Sequence, residues 1–327
     1  MTTIEQNLTQ LVQDRDDLVT NLTTKGITGL TGDETFTELV PEVLNISGGG
    51  SGHDWSAIGY SGEPQVIQDG YDYAVQIKNN WDSSVTNYQN KFNNDTNLIY
   101  MPLVDTSNGT NFNSMFKDCY ALTTAPQLDT SNGTNFNSMF SGCKLITTAP
   151  QLDTSKGTNF AYMFSNCTKL TTAPQLNTSK GEILENMFSG CKLITTIPQY
   201  DTSKSFGLSY MLSGCTSLIT VPQLDASSVT SIASVFFNVS SMTTFGGFKD
   251  LGKAYLTTRA ANYTNYTLTL SSSNNLTHDS LMNVINNLYD IASAGVQTQR
   301  LVLGSTNLAK LSSAEIAIAT NKGWAVS

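Results

Sequence analysis

A chain of 327 residues can bury a substantial core in one or two domains without disulfide staples, which excludes the small cystine scaffolds. Apolar residues make up 39% and charged residues only 13%, against a usual charged share of about 25%, and Ser, Thr and Asn fill the gap. With 17 Lys and Arg against 26 Asp and Glu the net charge is −9, so no basic surface for a polyphosphate backbone is expected and nucleic acid drops out as a partner.

The first residues, MTTIEQNLTQ, lack a basic region followed by an apolar run. Nowhere does an uninterrupted apolar stretch reach the ~18 residues of a spanning helix, so neither a signal peptide nor a membrane span is expected, and no membrane partner. Ile4, Leu8, Leu11, Leu18 and Leu22 fall on heptad a and d positions, with Arg15 interrupting the seam, and predict a helix. So short a seam fits two readings, self-association into a homo-oligomer or packing on a second helix from Asp33 to Asn45. Residues 1–46 therefore read as a small helical N-terminal module. Residues 47–53, SGGGSGH, read as a flexible linker. Residues 54–80 follow, with Val66, Ile67, Tyr71, Tyr73, Ala74 and Ile77 predicting a helical cap between Pro64 and Asn80.

Over residues 81–248 one period dominates. Pro102, Pro126, Pro150, Pro174, Pro198 and Pro222 are spaced by 24 residues, and Cys119, Cys143, Cys167, Cys191 and Cys215 keep the same step. Met115, Met139, Met163, Met187 and Met211 recur likewise, followed by Phe116, Phe140, Phe164, Phe188 and Leu212. Residues 137–160, NSMFSGCKLITTAPQLDTSKGTNF, give the unit. A fixed period in this range means stacked units that cannot bury their apolar faces alone, so the expected fold is an α/β solenoid of 24-residue leucine-rich-type repeats with short parallel strands. Met-Phe, Cys and the following Leu or Ile have the spacing of one side of a short helical turn facing inward. The next stretch, Leu-Thr-Thr-Ala-Pro or Ile-Thr-Thr-Ile-Pro, suits a three-residue strand limited by its proline. Asp129 and its counterparts suit a turn in which the carboxylate accepts a backbone N–H bond.

The array ends in altered units. Lys91 and Asp95 replace Met and Cys at the front, and Val239 and Gly246 replace Cys and Pro at the back. Residues 249–327 then read as an α/β C-terminal capping region with β-α-β-α-β order: YTLTL, a helix carrying Leu281, Val284, Ile285, Leu288 and Ile291 behind an N-cap at Thr277, RLVLG, a helix ending near Gly323, and a strand at Trp324 to Val326.

Chemistry is sparse. The five evenly spaced cysteines predict a buried structural ladder rather than reactive thiols, and with neither Cys-x-x-Cys nor a Cys and His pairing no metal site is expected. His53 and His278 have no Ser or Cys partner that the sequence would place nearby, so no catalytic triad is expected. No glycine-rich loop follows a strand and opens a helix, so no nucleotide or other cofactor is expected, and the chain reads as a non-enzyme. The informative surface is a column of Thr124, Thr148, Thr172, Thr196, Thr220 and Thr244, with Thr123, Thr147, Thr171 and Thr195 beside it. Joined by Gln127, Gln151, Gln175 and Tyr200, it is a candidate ligand face for a host-surface glycan or protein. The alternative is that Thr serves strand formation and solubility alone.

The repeat, MFSGCKLITTAPQLDTS at residues 139–155, resembles the BspA-like leucine-rich repeats, although Ala125, Ala149 and Ala173 stand where a larger aliphatic is usual. The tail, LTHDSLMNVINNLYDIA followed by LAKLSSAEIAIATNKGW, is similar to the C-terminal end of such proteins encoded in phages of gut bacteria. The N-terminal segment, LVQDRDDLVTNLTTKGITGLTGDETFTELVPEVLNI, is similar to a helical module at the start of phage tail, fibre and other virion proteins. These resemblances imply a virion component assembled in the host cytoplasm, a fibre, tail or decoration protein. Its N-terminal module would hold other virion proteins while the repeats face outward. A bacterial cell-surface adhesin, the usual setting of BspA-like repeats, is the alternative, and it would be expected to carry a signal peptide and an anchor.

Overall fold

The computed structural model describes residues 73–99, 101–123, 126–256 and 267–327. The expected N-terminal module 1–46, the linker 47–53 and residues 54–72 lie outside the described residues, and with them Ile4, Leu8, Leu11, Leu18, Leu22 and His53.

Through the repeat, consecutive units run side by side and parallel, each 24 residues on from the last. Parallel bridges join Asn87 to Asn111, Asn111 to Asn135, Asn135 to Asn159, Asn159 to Ile183, Ile183 to Gly207, and Gly207 to Ser231. At each rung one N–H reaches back and one forward: Thr134 N–H donates to Thr110 O at 2.9 Å, and Phe136 N–H to Asn159 O at 2.9 Å.

The Met-Phe-x-x-Cys segment is not helical, contrary to the spacing argument. It makes three overlapping tight turns instead, the middle one closed by Ser141 N–H donating to Ser138 O at 3.1 Å. Met139 N–H donates to Phe136 O at 3.2 Å and Cys143 N–H to Phe140 O at 3.1 Å, with Ser138 (φ 55°) and Gly142 (φ 77°) in the left-handed region. The intervening N–H groups of Phe136, Ser138, Phe140 and Gly142 leave the unit and donate to Asn159, Ala161, Met163 and Ser165 of the next at 2.7–2.9 Å. A helix would use those donors internally, whereas alternating turns use them to bind the neighbour. Four-residue turns also return side chains to one side every four residues, which is why their sequence imitates a helix.

The Thr-Thr stretch also differs from expectation. Among the described residues two-residue strands form there only at the end of the array, β1 (Thr220–Val221) pairing with β3 (Thr244–Phe245), and Thr196 bridges Thr220. A second pair, β2 (Leu224–Asp225) with β4 (Phe248–Lys249), lies just beyond. Pro222, which has no N–H, ends β1.

The core consists of side-chain stacks along the array. Tyr88, Phe112, Phe136 and Phe160 stack at 5.6–5.7 Å between ring centroids, and Phe92, Phe116, Phe140, Phe164 and Phe188 at 5.4–5.7 Å. Leu184 and Leu208 continue the first stack, Leu212 and Phe236 the second, and all are buried. At the front the chain is helical over residues 73–79, Tyr73 donates its hydroxyl to Asp95, and Trp81 lies 5.4 Å from Tyr88 and 6.4 Å from Phe92. The indole therefore covers the exposed end of both stacks.

The C-terminal region follows β-α-β-α-β order with one short helix added. β5 (Thr267–Thr269), β6 (Gln299–Val302) and β7 (Trp324–Val326) form a parallel sheet in that order, joined by α1 (His278–Asn287), α2 (Ser305–Leu308) and α3 (Ser313–Asn321). Thr277 caps α1 by accepting from Ser280 N–H, and Gly323 (φ 91°) makes the turn after α3. This region is bolted to the last repeat unit. Ser280 Oγ donates to Thr243 O at 3.1 Å and Ser273 Oγ to Val239 O at 2.8 Å.

Candidate interaction surfaces

Cys119, Cys143, Cys167, Cys191 and Cys215 are free and buried. Each Sγ lies 3.0–3.2 Å from a Phe carbonyl 27 residues earlier, that of Phe92, Phe116, Phe140, Phe164 and Phe188 in turn. Burial pushes Cys119 and Cys215 up to about 12, and the three between them well above the ordinary thiol value. Such thiols stay protonated and unreactive at neutral pH.

The aspartates serve turns. Asp105, Asp129, Asp153, Asp201 and Asp225 each accept the backbone N–H two residues on at 2.9–3.0 Å, and Asn177 does the same at 3.1 Å. The following threonines are buried and donate across to the next unit, as Thr130 Oγ1 does to Asp153 O at 2.9 Å. His278 binds Glu315 Oε1 through Nε2 at 2.9 Å, linking α1 to α3 on the surface. Among the described residues no three His, Cys, Asp or Glu converge as for a metal ion, and no helix is long and apolar enough to cross a membrane.

On the strand side Thr148, Thr172, Thr196 and Thr244 are exposed and Thr220 is half-buried, while Thr124 lies outside the described residues. Thr147, Thr171 and Thr195 beside them are exposed too, as are Gln127, Gln151, Gln175, Gln199 and Gln223. The next side chain in that stripe, Tyr200, does not belong to this face. It is buried, stacks on Phe188 at 5.9 Å and donates its hydroxyl to Pro174 O at 2.7 Å. It occupies the inward position held by Leu128, Leu152 and Leu176 in earlier units, and alternation along the extended chain turns it from the glutamine before it. The Thr and Gln positions of the strand side thus carry no charge, exposed aspartates such as Asp129, Asp153 and Asp201 border them, and at the end of the array Lys249 Nζ meets Asp225 Oδ2 at 2.9 Å.

A second surface was not anticipated from the period. On the tight turns, Tyr162 and Tyr210 are 44% exposed and Phe237 is 65% exposed. Tyr162 and Tyr210 share one column with Ser114, Ser138, Asn186 and Ser234, all with φ of 53–58°. The signal available in the sequence was a departure: two aromatic residues in a column otherwise filled by Ser and Asn.

A family model described as a mycoplasma protein of unknown function, DUF285, matches residues 66–175 and 158–249, together more than half of the chain. No curated protein matches it.

Proposed function

This chain belongs to the DUF285 family, and from that premise we propose that it is a non-enzymatic attachment protein whose units form a single right-handed solenoid presenting the Thr column to a host-surface or mucus ligand. The observation carrying this reading is the in-register parallel ladder, which sets Thr148, Thr172, Thr196 and Thr244 as repeated exposed hydroxyls on one side. Repeated weak contacts gain by avidity, so particle-borne copies should bind about 100-fold or more tighter than the isolated chain. The Thr and Gln side chains carry no charge, so contacts made through them should be nearly unchanged when salt is raised from about 50 to 200 mM.

We further propose that residues 1–46 join the protein to other components of a phage particle, with residues 47–53 as the tether, 54–80 and 249–327 as the caps, and 81–248 as the displayed array. The support is the resemblance of the N-terminal segment to virion proteins and of the tail to repeat proteins encoded in phages of gut bacteria. The second reading, a cell-surface adhesin, is favoured by the mycoplasma description of the family. Mass spectrometry of purified particles separates the two: presence of the chain supports the virion reading, and its recovery from intact cells by surface proteolysis supports the adhesin. The face itself is tested by replacing Thr148, Thr172 and Thr196 together with Lys. Retained folding with lost adsorption is expected, and unchanged adsorption would remove the column from the binding surface.

A further inference from the structure

Backbone cost identifies the two turn-face tyrosines. A left-handed φ of 57–58° with a Cβ present costs roughly 1–2 kcal/mol, and Ser, Asn and Gly tolerate it best through small size or local hydrogen bonding. In this column five of the described units use Ser or Asn, at Asn90, Ser114, Ser138, Asn186 and Ser234. Tyr162 and Tyr210 carry a bulky ring there without burying it, so neither local conformation nor core packing accounts for them.

Their placement is specific. Tyr162 N–H donates to Glu185 O, Asn186 N–H to Ser209 O and Tyr210 N–H to Ala233 O, all at 2.9 Å, so the three units are in register. The two rings stand two units apart on the same column, about 10 Å at one strand spacing per unit. The side chain between them on the column is Asn186, smaller than either ring. The turns of these three units, residues 159–167, 183–191 and 207–215, contain a single side chain charged at neutral pH, Glu185.

We infer that Tyr162 and Tyr210 are paired stacking platforms of a glycan site on the turn face, fitted to an extended, uncharged β-1,4-linked polysaccharide. In such a chain every second sugar presents the same face, so rings two strand spacings apart meet equivalent sugars one disaccharide apart. The negative ring face attracts the C–H bonds of a pyranose, and tyrosine supplies that area with few rotors to immobilise. The near absence of charge fits a neutral ligand better than an acidic or basic peptide. This inference rests on the attachment reading and names a ligand class for it, but uses a different side of the molecule from the Thr column.

The test is titration calorimetry of the full chain with the β-1,4-linked hexasaccharides of glucose and of N-acetylglucosamine, and with the α-1,4-linked glucose hexasaccharide. Binding of at least one β-linked probe at millimolar concentration is expected, with little for the coiled α-linked chain. Tyr162→Ser and Tyr210→Ser each adopt a residue already used in that column, so both should fold, and each should weaken binding about tenfold, the size of one aromatic contact. Tyr162→Phe and Tyr210→Phe should retain most of it. Failure of both β-linked probes, equal binding of the α-linked chain, or unchanged binding by the serine variants would overturn the inference. If the serine variants adsorb to cells normally while the triple lysine variant does not, this inference falls and the attachment reading stands.

Discussion

The thiol of Cys167 combines two properties that its place in the stack requires. It is a small apolar volume, and its hydrogen reaches Phe140 O at 3.1 Å, a carbonyl already accepting Cys143 N–H at 3.1 Å. Val239 holds the equivalent place in the last unit without such a donor, so packing is the larger part of the role. Cys167→Ala should therefore fold and lose about 1–2 kcal/mol, from the vacated volume and the lost weak hydrogen bond, measured by urea denaturation. Asp129 and Asp153 act through charge-assisted bonds instead: the hydroxyl and N–H of Ser131, and the N–H and hydroxyl of Ser155, hold these carboxyls below the ordinary value. A carboxyl depressed in the folded state contributes stability above its unfolded value, about 3.9, and loses it as pH falls through the folded one. Asn177 makes the same turn, with Ser179 N–H at 3.1 Å and Ser179 Oγ at 2.7 Å from its Oδ1, yet does not titrate. The double variant Asp129→Asn with Asp153→Asn should therefore keep the fold and lose less stability than the parent between pH 5 and 2, in thermal melts across that range.

At the scale of elements, the repeat turns and the C-terminal helices solve the same problem differently. A turn unit sends alternate N–H groups to its neighbour, so each unit is incomplete without the next. Helix α3 completes itself with a capping box, in which Ser312 Oγ accepts from Glu315 N–H at 3.2 Å and Glu315 Oε2 accepts from Ser312 N–H at 2.7 Å. Ser312→Ala should cost about 1 kcal/mol by denaturant unfolding, and the repeat should keep its circular dichroism because α3 packs on α1 and β7, while α1 is the helix that meets β3 and β4. The turns have their own steric demand. A Cβ on Gly157 would sit 2.4 Å from the Phe160 ring, so the close approach of backbone to stacked ring requires glycine there.

For the molecule as a whole, a stack whose contacts are made mainly with nearest neighbours should tolerate removal of a whole period and no other length. Deleting residues 137–160 joins Phe136 to Ala161 in unchanged register, and leaves both ends covered, by Trp81 at the front and α1 at the back. That shortened protein should still unfold cooperatively, with a smaller denaturant slope in keeping with one unit's less surface. Deleting 20 residues at the same place should abolish folding, because every column would be offset from its neighbour. Circular dichroism and urea melts of the two deletions check both outcomes.

The period was legible in the amino acids because stacking places equivalent residues in one column, so a recurring Cys, Phe or Pro is a direct record of the packing. The Asx turns were legible for a related reason: an Asp followed two residues later by a Ser can bond locally whatever surrounds it. Conformation within the unit was less legible, since four-residue turns and a helix place apolar side chains at nearly the same spacing, and only the partners of the N–H groups distinguish them. Tyr200 and the turn-face tyrosines show the same limit for a single side chain. Tertiary structure decided that Tyr200 turns inward to stack on Phe188 while Tyr162 and Tyr210 stand in solvent, because which way a ring points depends on the backbone conformation at its own position and on the units either side.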